Sequence, residues 1–367
     1  MIVNWRMIPS SANTYAALSA ACELSGYPLH LVRRPTPDVT CYSLHSLSAG
    51  TYLPEIAGAG CITIVGGPHA SACYRELAGI ADYVVVGEGE YTLPRLLDHI
   101  RTGRCGEIPP GVATSGGYTP ASSTVRLDAY PPFSRVNGYV EISRGCPFSC
   151  AYCQTPRLAG SRMRHRSIEE IVRFSSRYRH ARFVSPNAFA YGSKDGIHPR
   201  FDRVERLLRS LDKNQVYFGT FPSEVRPEFI TERSLDLILT FCDNKRLHFG
   251  AQSGSDAVLR RLSRGHTVAD VISAVENCTE HGILPVVDFI VGLPDETDEE
   301  QHDTLNLIEW IAGRGKIHIH QFVPLPGTPL SGTRARALLP EAAVTFGKFS
   351  LAGKLTGSWS DWHLQRR

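Results

Sequence analysis

The sequence turns on Glu141-Ile142-Ser143-Arg144-Gly145-Cys146-Pro147-Phe148-Ser149-Cys150-Ala151-Tyr152-Cys153-Gln154. Cys146, Cys150 and Cys153 follow directly on an apolar, strand-like run at 138–142. A loop this tight can bring three thiolates to one side of a small metal cluster. A four-iron cluster with only three protein ligands keeps one iron open, and an open position is where a substrate or cofactor binds. The same cysteines also permit a structural zinc site, with Cys150 and Cys153 as a pair and His165 or Cys105 as a further ligand.

Around this loop the composition is that of a globular protein. The 367 residues suffice for two cores, and the hydrophobic (42%) and charged (20%) fractions are ordinary. A net charge of +3 is too balanced for a nucleic-acid footprint. No apolar stretch approaches a membrane span, and the first residues lack the pattern of a signal peptide. The expectation is a cytoplasmic protein with no nucleic-acid or membrane partner. Cys22, Cys41, Cys61, Cys73, Cys105, Cys242 and Cys278 fall outside the loop at irregular spacings and read as reduced structural thiols.

Upstream, strand-length apolar runs at 2–5, 29–32, 39–44, 61–65 and 83–86 alternate with helical stretches at 11–24, 52–57, 70–78 and 91–100. This predicts an α/β, Rossmann-like, doubly wound domain over 1–102, with ligands outside the carboxyl ends of its strands. Those ends carry Ser43-Leu44-His45-Ser46, Gly66-Gly67-Pro68-His69 and Gly87-Glu88-Gly89-Glu90. Glycines there let the main chain approach a large flat ligand, although each motif alone also reads as an ordinary turn. Proline and glycine break any period in 103–136, which reads as a linker wrapped on a surface.

Downstream, strand-like runs recur at 182–185, 216–220, 247–251, 284–291 and 317–323. Helical patterns lie between them at 202–211, 267–278 and 299–311, and Ser167 with Glu170 forms a capping box. With the strand before the cysteines this makes six βα units. A partial (βα)6 TIM-type barrel over 137–330 is expected, working at its strand C-termini. The remainder, 331–367, reads as a short helical tail with Trp359 and Trp362 beyond an apolar stretch, packed on the barrel or covering its mouth.

Cys146-x3-Cys150-x-Tyr152-Cys153 resembles the signature of the radical S-adenosylmethionine (SAM) enzymes. The resemblance implies a [4Fe-4S] cluster on catalytic Cys146, Cys150 and Cys153, SAM on its free iron, and Tyr152 beside the adenine. Further stretches match in register. Gly250 to Asp256 with Arg261 to Thr267 is similar to the fourth-strand SAM region and would use Gln252 and Ser253. Asp288 to Thr297 is similar to the fifth-strand motif and would use Asp288 and Val291, and Phe322 to Pro329 to the sixth-strand end, with Pro324. Ser185, Asn187 and Glu224 stand at the second and third strand ends, where side chains could hold the amino group or ribose of SAM. Glu224 and Arg226 also read as a surface ion pair. Arg157, Arg162, Arg164, His165 and Arg166 form a basic run suited to an anion or to a solvated face.

Val65 to His69 followed by Ala81 to Glu90 resembles the cobalamin-binding domain that precedes many radical SAM domains. This implies that Ser43, Leu44, His45, Gly66, Gly67, His69, Gly87, Glu88 and Gly89 meet cobalamin. Asp-x-His-x-x-Gly, which marks replacement of the lower cobalt ligand, is absent from 41–49. The lower face of cobalt is then left without a strong ligand, unless His45 reaches it instead of forming a hydrogen bond.

The runs 137–156, 162–167, 183–189 and 219–228 are similar to an archaeal group that contains the enzyme methylating the α-carbon of a glutamine in methyl-coenzyme M reductase. What this implies is a cobalamin-dependent radical SAM C-methyltransferase acting on an unactivated sp3 carbon. A 5'-deoxyadenosyl radical would abstract hydrogen and methylcobalamin would deliver the methyl group. Its partners would be the reductase α subunit and an external electron donor. Open alternatives are a methylthiotransferase, which would need another cluster in the first domain, a methylase of another peptide or small molecule, and a cobalamin-binding sensor or carrier whose cluster is structural.

Overall fold

The computed structural model describes residues 1–103 and 107–359, which fall into two compact units. The first comprises 1–140, 157–160 and 325–327, and the second 141–156, 161–324 and the chain from 328 onward. Cys105 and Trp362 lie outside the described residues. Among the described residues, no helix is long and apolar enough to cross a membrane.

The first unit runs β1 (Val3–Arg6), α1 (Ala12–Leu24), β2 (Leu29–Val32), β3 (Val39–Ser43), α2 (Ser46–Ala57), β4 (Ile62–Gly66), α3 (Pro68–Ala72), α4 (Tyr74–Leu77), β5 (Tyr83–Val85) and α5 (Gly89–Arg101). Its strands lie in the order β2-β1-β3-β4-β5, all parallel. Both faces are covered. Trp5, Val39, Cys41 and Ile64 pack with Tyr15 and Cys22 of α1 and Leu96 and Leu97 of α5. Tyr42, Val65 and Val84 pack with Ile56 of α2 and Ala70 of α3. Two-sided burial is why these strands are continuous apolar runs.

The segment expected to be an irregular linker extends this sheet. β6 (Val112–Thr114) pairs antiparallel with β5, and β7 (Gly117–Tyr118) antiparallel with β6. Strands of three and two residues are too short to show a period, and pairing with an existing edge fixes them instead.

The second unit runs β8 (Val140–Glu141), β9 (Ser143–Arg144), α6 (Thr155–Ala159), β10 (Arg164–His165), α7 (Ile168–Ser175), β11 (His180–Val184), α8 (Phe201–Arg209), β12 (Gln215–Tyr217) and α9 (Glu232–Phe241). It continues with β13 (Arg246–Gln252), α10 (Asp256–Arg261), α11 (Val268–Glu280), β14 (Leu284–Val291), α12 (Asp298–Ala312), β15 (Lys316–Gln321), α13 (Pro340–Leu351) and β16 (Leu355–Ser358). Three sheets result, an antiparallel β10-β9 pair, β12-β11-β8 and β13-β14-β15-β16, and a parallel bridge between Val225 and Phe249 links the segment after β12 to β13. Helices α11 and α12 start at the capping boxes of Thr267 with Asp270 and Thr297 with Glu300. The tail is more than a helix, because β16 adds a parallel strand beside β15. Only Leu355 of that strand is buried, so it carries no alternation from which a strand could be read.

Candidate active site

The cysteine loop leaves β9 through Gly145, whose φ of +87° a side chain would strain, and closes into α6. Within it the Cys153 N–H donates to the Cys150 carbonyl at 3.1 Å, and the Ala151 N–H to the Leu262 carbonyl at 2.9 Å. Ala151 and Tyr152 pack with Val258, Leu262, Leu293 and Phe322, so strand-end segments after β13, β14 and β15 brace the loop. Donors point at all three sulfurs: the Phe148 N–H at Cys146, the Thr155 N–H 3.4 Å from Cys153 Sγ, and Arg264 Nη1 3.8 Å from Cys150 Sγ. Donors at thiolates suit a cluster, whose potential such bonds tune. The zinc alternative loses one proposed ligand, because His165 Nδ1 is 2.8 Å from Ser143 Oγ and Nε2 is 2.9 Å from the Ser193 carbonyl. Its other one, Cys105, lies outside the described residues.

Arg264 is the hub of this interior, and the motif containing it did not mark it out. It also donates to the Gly250 carbonyl at 3.1 Å. Burial works against its charge, but Tyr152, Cys150 and Glu228 hold the guanidinium pKa above its usual value. Arg226 is buried and bonds Glu228 at 2.5 Å and the Arg264 carbonyl at 2.5 Å, with its guanidinium 3.5 Å from the centre of the Phe148 ring. The surface ion pair with Glu224 is therefore not formed. Neighbouring His266 is driven to about 2 by burial beside Arg264 and Arg226, so it is neutral, and its Nε2 meets the Ala251 carbonyl at 3.1 Å.

The residues expected to hold SAM stand on this same interior. Asn187 is buried with both amide atoms unpartnered, while Ser185 Oγ fixes its backbone. Glu224 is half-buried and shifted upward by burial, an effect that Arg264 opposes. Burial and the proximity of Glu224 push Asp288 to about 8, and its Oδ2 has no partner. Buried polar atoms without partners are rare in finished interiors and mark places where a ligand completes the bonding. Gln252 sits in the left-handed region at φ +71°, at a register shift in β13. Its side chain crosses Gly250, where a Cβ would fall 1.8 Å from Gln252 Nε2. Ser253 is different: its hydroxyl is spent on Thr304 at 3.1 Å and on the Ser255 N–H at 3.2 Å. Val291 receives the Phe322 N–H at 2.9 Å at the end of β14, and Pro324 is half-buried beyond β15.

In the first unit, the strand order changes direction between β1 and β3, and ligands of such sheets bind at that switch. There His45 caps α2 and its Nε2 lies 2.5 Å from Ser10 Oγ. Ser43 and Leu44 are buried beneath Gly67, which has φ +95° and leaves a Cβ only 2.7 Å from the Leu44 carbonyl. No other residue fits there. Gly66 ends β4 and accepts the Leu44 N–H, and His69 Nδ1 is 3.4 Å from Ser46 Oγ. The Gly87 N–H donates to Ser71 Oγ at 2.9 Å, Gly89 starts α5 against Leu18, and Glu88 accepts the Val125 N–H at 2.9 Å.

Residues 140–308 match the model of the radical SAM superfamily. The second unit carries a radical SAM domain. Such a domain takes a [4Fe-4S] cluster and SAM, and the three sulfurs with their donors and the orphaned Asn187 amide fit both. Among curated relatives, the chain is 30% identical over 224 residues to the tRNA-2-methylthio-N(6)-dimethylallyladenosine synthase of Pelobacter propionicus, covering 58% of this chain and 49% of that one. It thus spans about half the length of that relative. Among solved structures, the radical SAM methyltransferase TsrM from Kitasatospora setae, with cobalamin and a [4Fe-4S] cluster bound, superposes with a TM-score of 0.68 at 17% identity. The match covers 92% of this chain and 76% of TsrM. The cobalamin-dependent radical SAM enzyme OxsB gives 0.64 at 17% identity over 84% of this chain and 51% of its own. At these identities the likeness is one of fold, and it extends beyond the radical SAM domain into the doubly wound unit.

Proposed function

We propose that this protein is a cobalamin-dependent radical SAM C-methyltransferase of the cytoplasm whose substrate is the α-carbon of a glutamine in methyl-coenzyme M reductase. The observation that carries the reading is the glycine ledge of the first unit, where Gly67 brings bare main chain against Leu44 at the sheet's ligand-binding edge, in a fold shared with cobalamin enzymes over most of the chain. Bound there, cobalamin would supply the methyl group, and the cluster with SAM would supply the radical that activates the carbon. The residues of the chain bind and position. Cys146, Cys150 and Cys153 hold the cluster, Arg264 and the Thr155 N–H donate to its sulfurs, and Asn187 and Glu224 offer hydrogen bonds to SAM. Ser43, Gly66, Gly67 and Gly87 shape the cobalamin ledge. A donor outside the chain supplies electrons.

The relatives favour a second reading, a methylthiotransferase. It needs a further set of thiolates in the first unit. Cys22 and Cys41 are instead fully buried in that core, where burial raises both thiols, Cys22 to about 12, and a neutral thiol is a poor ligand. Cys61 precedes β4, at the end of the sheet away from the ledge, while Cys73 follows α3. The test is anaerobic reconstitution with iron, sulfide and cobalamin, then SAM, reductant and a glutamine peptide from the reductase, read by mass spectrometry. Gain of one methyl on glutamine, lost in Cys150→Ala, supports the proposal. SAM cleavage with an unmodified peptide refutes the substrate, and a methylthio group gained by transfer RNA supplied in place of the peptide refutes the reaction.

A further inference from the structure

A second set of metal-type donors lies on β14 and β15, apart from the cysteine loop. Side chains alternate across a strand, so Ile317 and Ile319 enter the core while His318 and His320 share the other face of β15. In the parallel pairing of β14 with β15, Asp288 stands opposite His318. One ligating atom from each of Asp288, His318 and His320 lies within 4.8 Å of the other two, and among the described residues no other three His, Cys, Asp or Glu side chains gather so closely. The two imidazole rings are 4.5 Å apart and near perpendicular, at 74°.

Two independent features point to a ligand. Asp288 is 6% exposed and its Oδ2 is unpartnered, which is costly unless something binds it. His318 Nδ1 lies 2.8 Å from Thr356 Oγ1 on β16. With Nδ1 donating to that hydroxyl, Nε2 keeps its lone pair, and this outer-shell bond is the kind that orients ligating histidines.

We propose that Asp288, His318 and His320 bind one divalent transition-metal ion. Two imidazoles and one carboxylate on one side of an ion suit zinc, ferrous iron or cobalt, and are the wrong donors for magnesium or calcium. Three protein ligands leave positions open, so the ion can take a carbonyl or carboxylate oxygen of a substrate and fix it beside β14 and β15. The ion site stands on these residues alone and does not rest on the methyltransferase reading.

The test uses the full chain with its cluster reconstituted, so that the loop cysteines are occupied. After dialysis against zinc chloride, elemental analysis should find one zinc per chain, and X-ray absorption at the zinc edge should show nitrogen and oxygen neighbours without sulfur. His320→Ala, at an exposed position, should keep the circular dichroism of the parent and weaken binding at least ~10-fold. Thr356→Val, which leaves all three ligands in place, should weaken it by roughly ten-fold as well. No retained zinc, equal zinc in parent and His320→Ala, or sulfur neighbours at the zinc edge would each overturn the assignment.

Discussion

The two units treat their strand ends in opposite ways. In the first, the polar groups at the ledge satisfy one another: His45 with Ser10, His69 with Ser46, the Gly87 N–H with Ser71 and Glu88 with the Val125 N–H. In the second, Asn187, Asp288, Arg226, Arg264 and His266 each bury at least one polar atom with no partner. A ledge already satisfied offers shape, which is what a large flat cofactor needs. An interior with orphaned donors and acceptors offers charge and hydrogen bonds, which is what a small zwitterion such as SAM and a cluster need.

The largest test of this contrast is Cys150→Ala. It should abolish the broad visible absorbance of the cluster and reduce SAM cleavage below detection, while cobalamin binding stays intact. Loss of both together would mean that the ligand sites are not separable. Arg264→Ala comes next. It removes the charge facing Cys150, Tyr152 and Glu224, and should destabilise by about 3 kcal/mol and slow SAM cleavage at least ~10-fold. Chemical denaturation and 5'-deoxyadenosine yield read the two effects.

Gly67→Ala strikes the ledge. A Cβ 2.7 Å from the Leu44 carbonyl at φ +95° should cost about 3 kcal/mol and abolish cobalamin binding, leaving the iron content unchanged. A thermal melt and cobalamin absorbance check it.

Glu296 gives a pH test. Burial, with Glu300 adding, lifts its carboxyl from 4.5 to about 7. The folded state therefore holds a proton that the unfolded state has lost, so stability falls as pH rises from 4.5 through 7. Glu296→Gln should remove that slope and gain up to roughly 3 kcal/mol at pH 8. An unchanged pH profile in the variant would show that Glu296 is already ionised. The smallest effect is expected from His45→Ala. With His45 hydrogen-bonded to Ser10, bound cobalamin should keep its absorption spectrum, and a shift of its visible bands would instead identify His45 as the cobalt ligand.

The cysteine loop, the parallel βα alternation and the capped helices were legible in the sequence, because each is a local pattern: a spacing, a period or a cap read within a few residues. β6, β7 and β16 were not, since glycine, serine and threonine interrupt these short segments and only pairing with an edge supplied from elsewhere makes them strands. The site divides along the same line. Sequence alone determined that three thiols share one loop and that glycines sit at strand ends. Tertiary structure alone decided that Arg264 meets Cys150 across 114 positions, that Arg226 is buried on Phe148, that Ser253 is tied to Thr304, and that Asp288 joins two histidines one strand away. Contacts between strands depend on register, and register is set by the packing of the whole sheet rather than by any one stretch of chain.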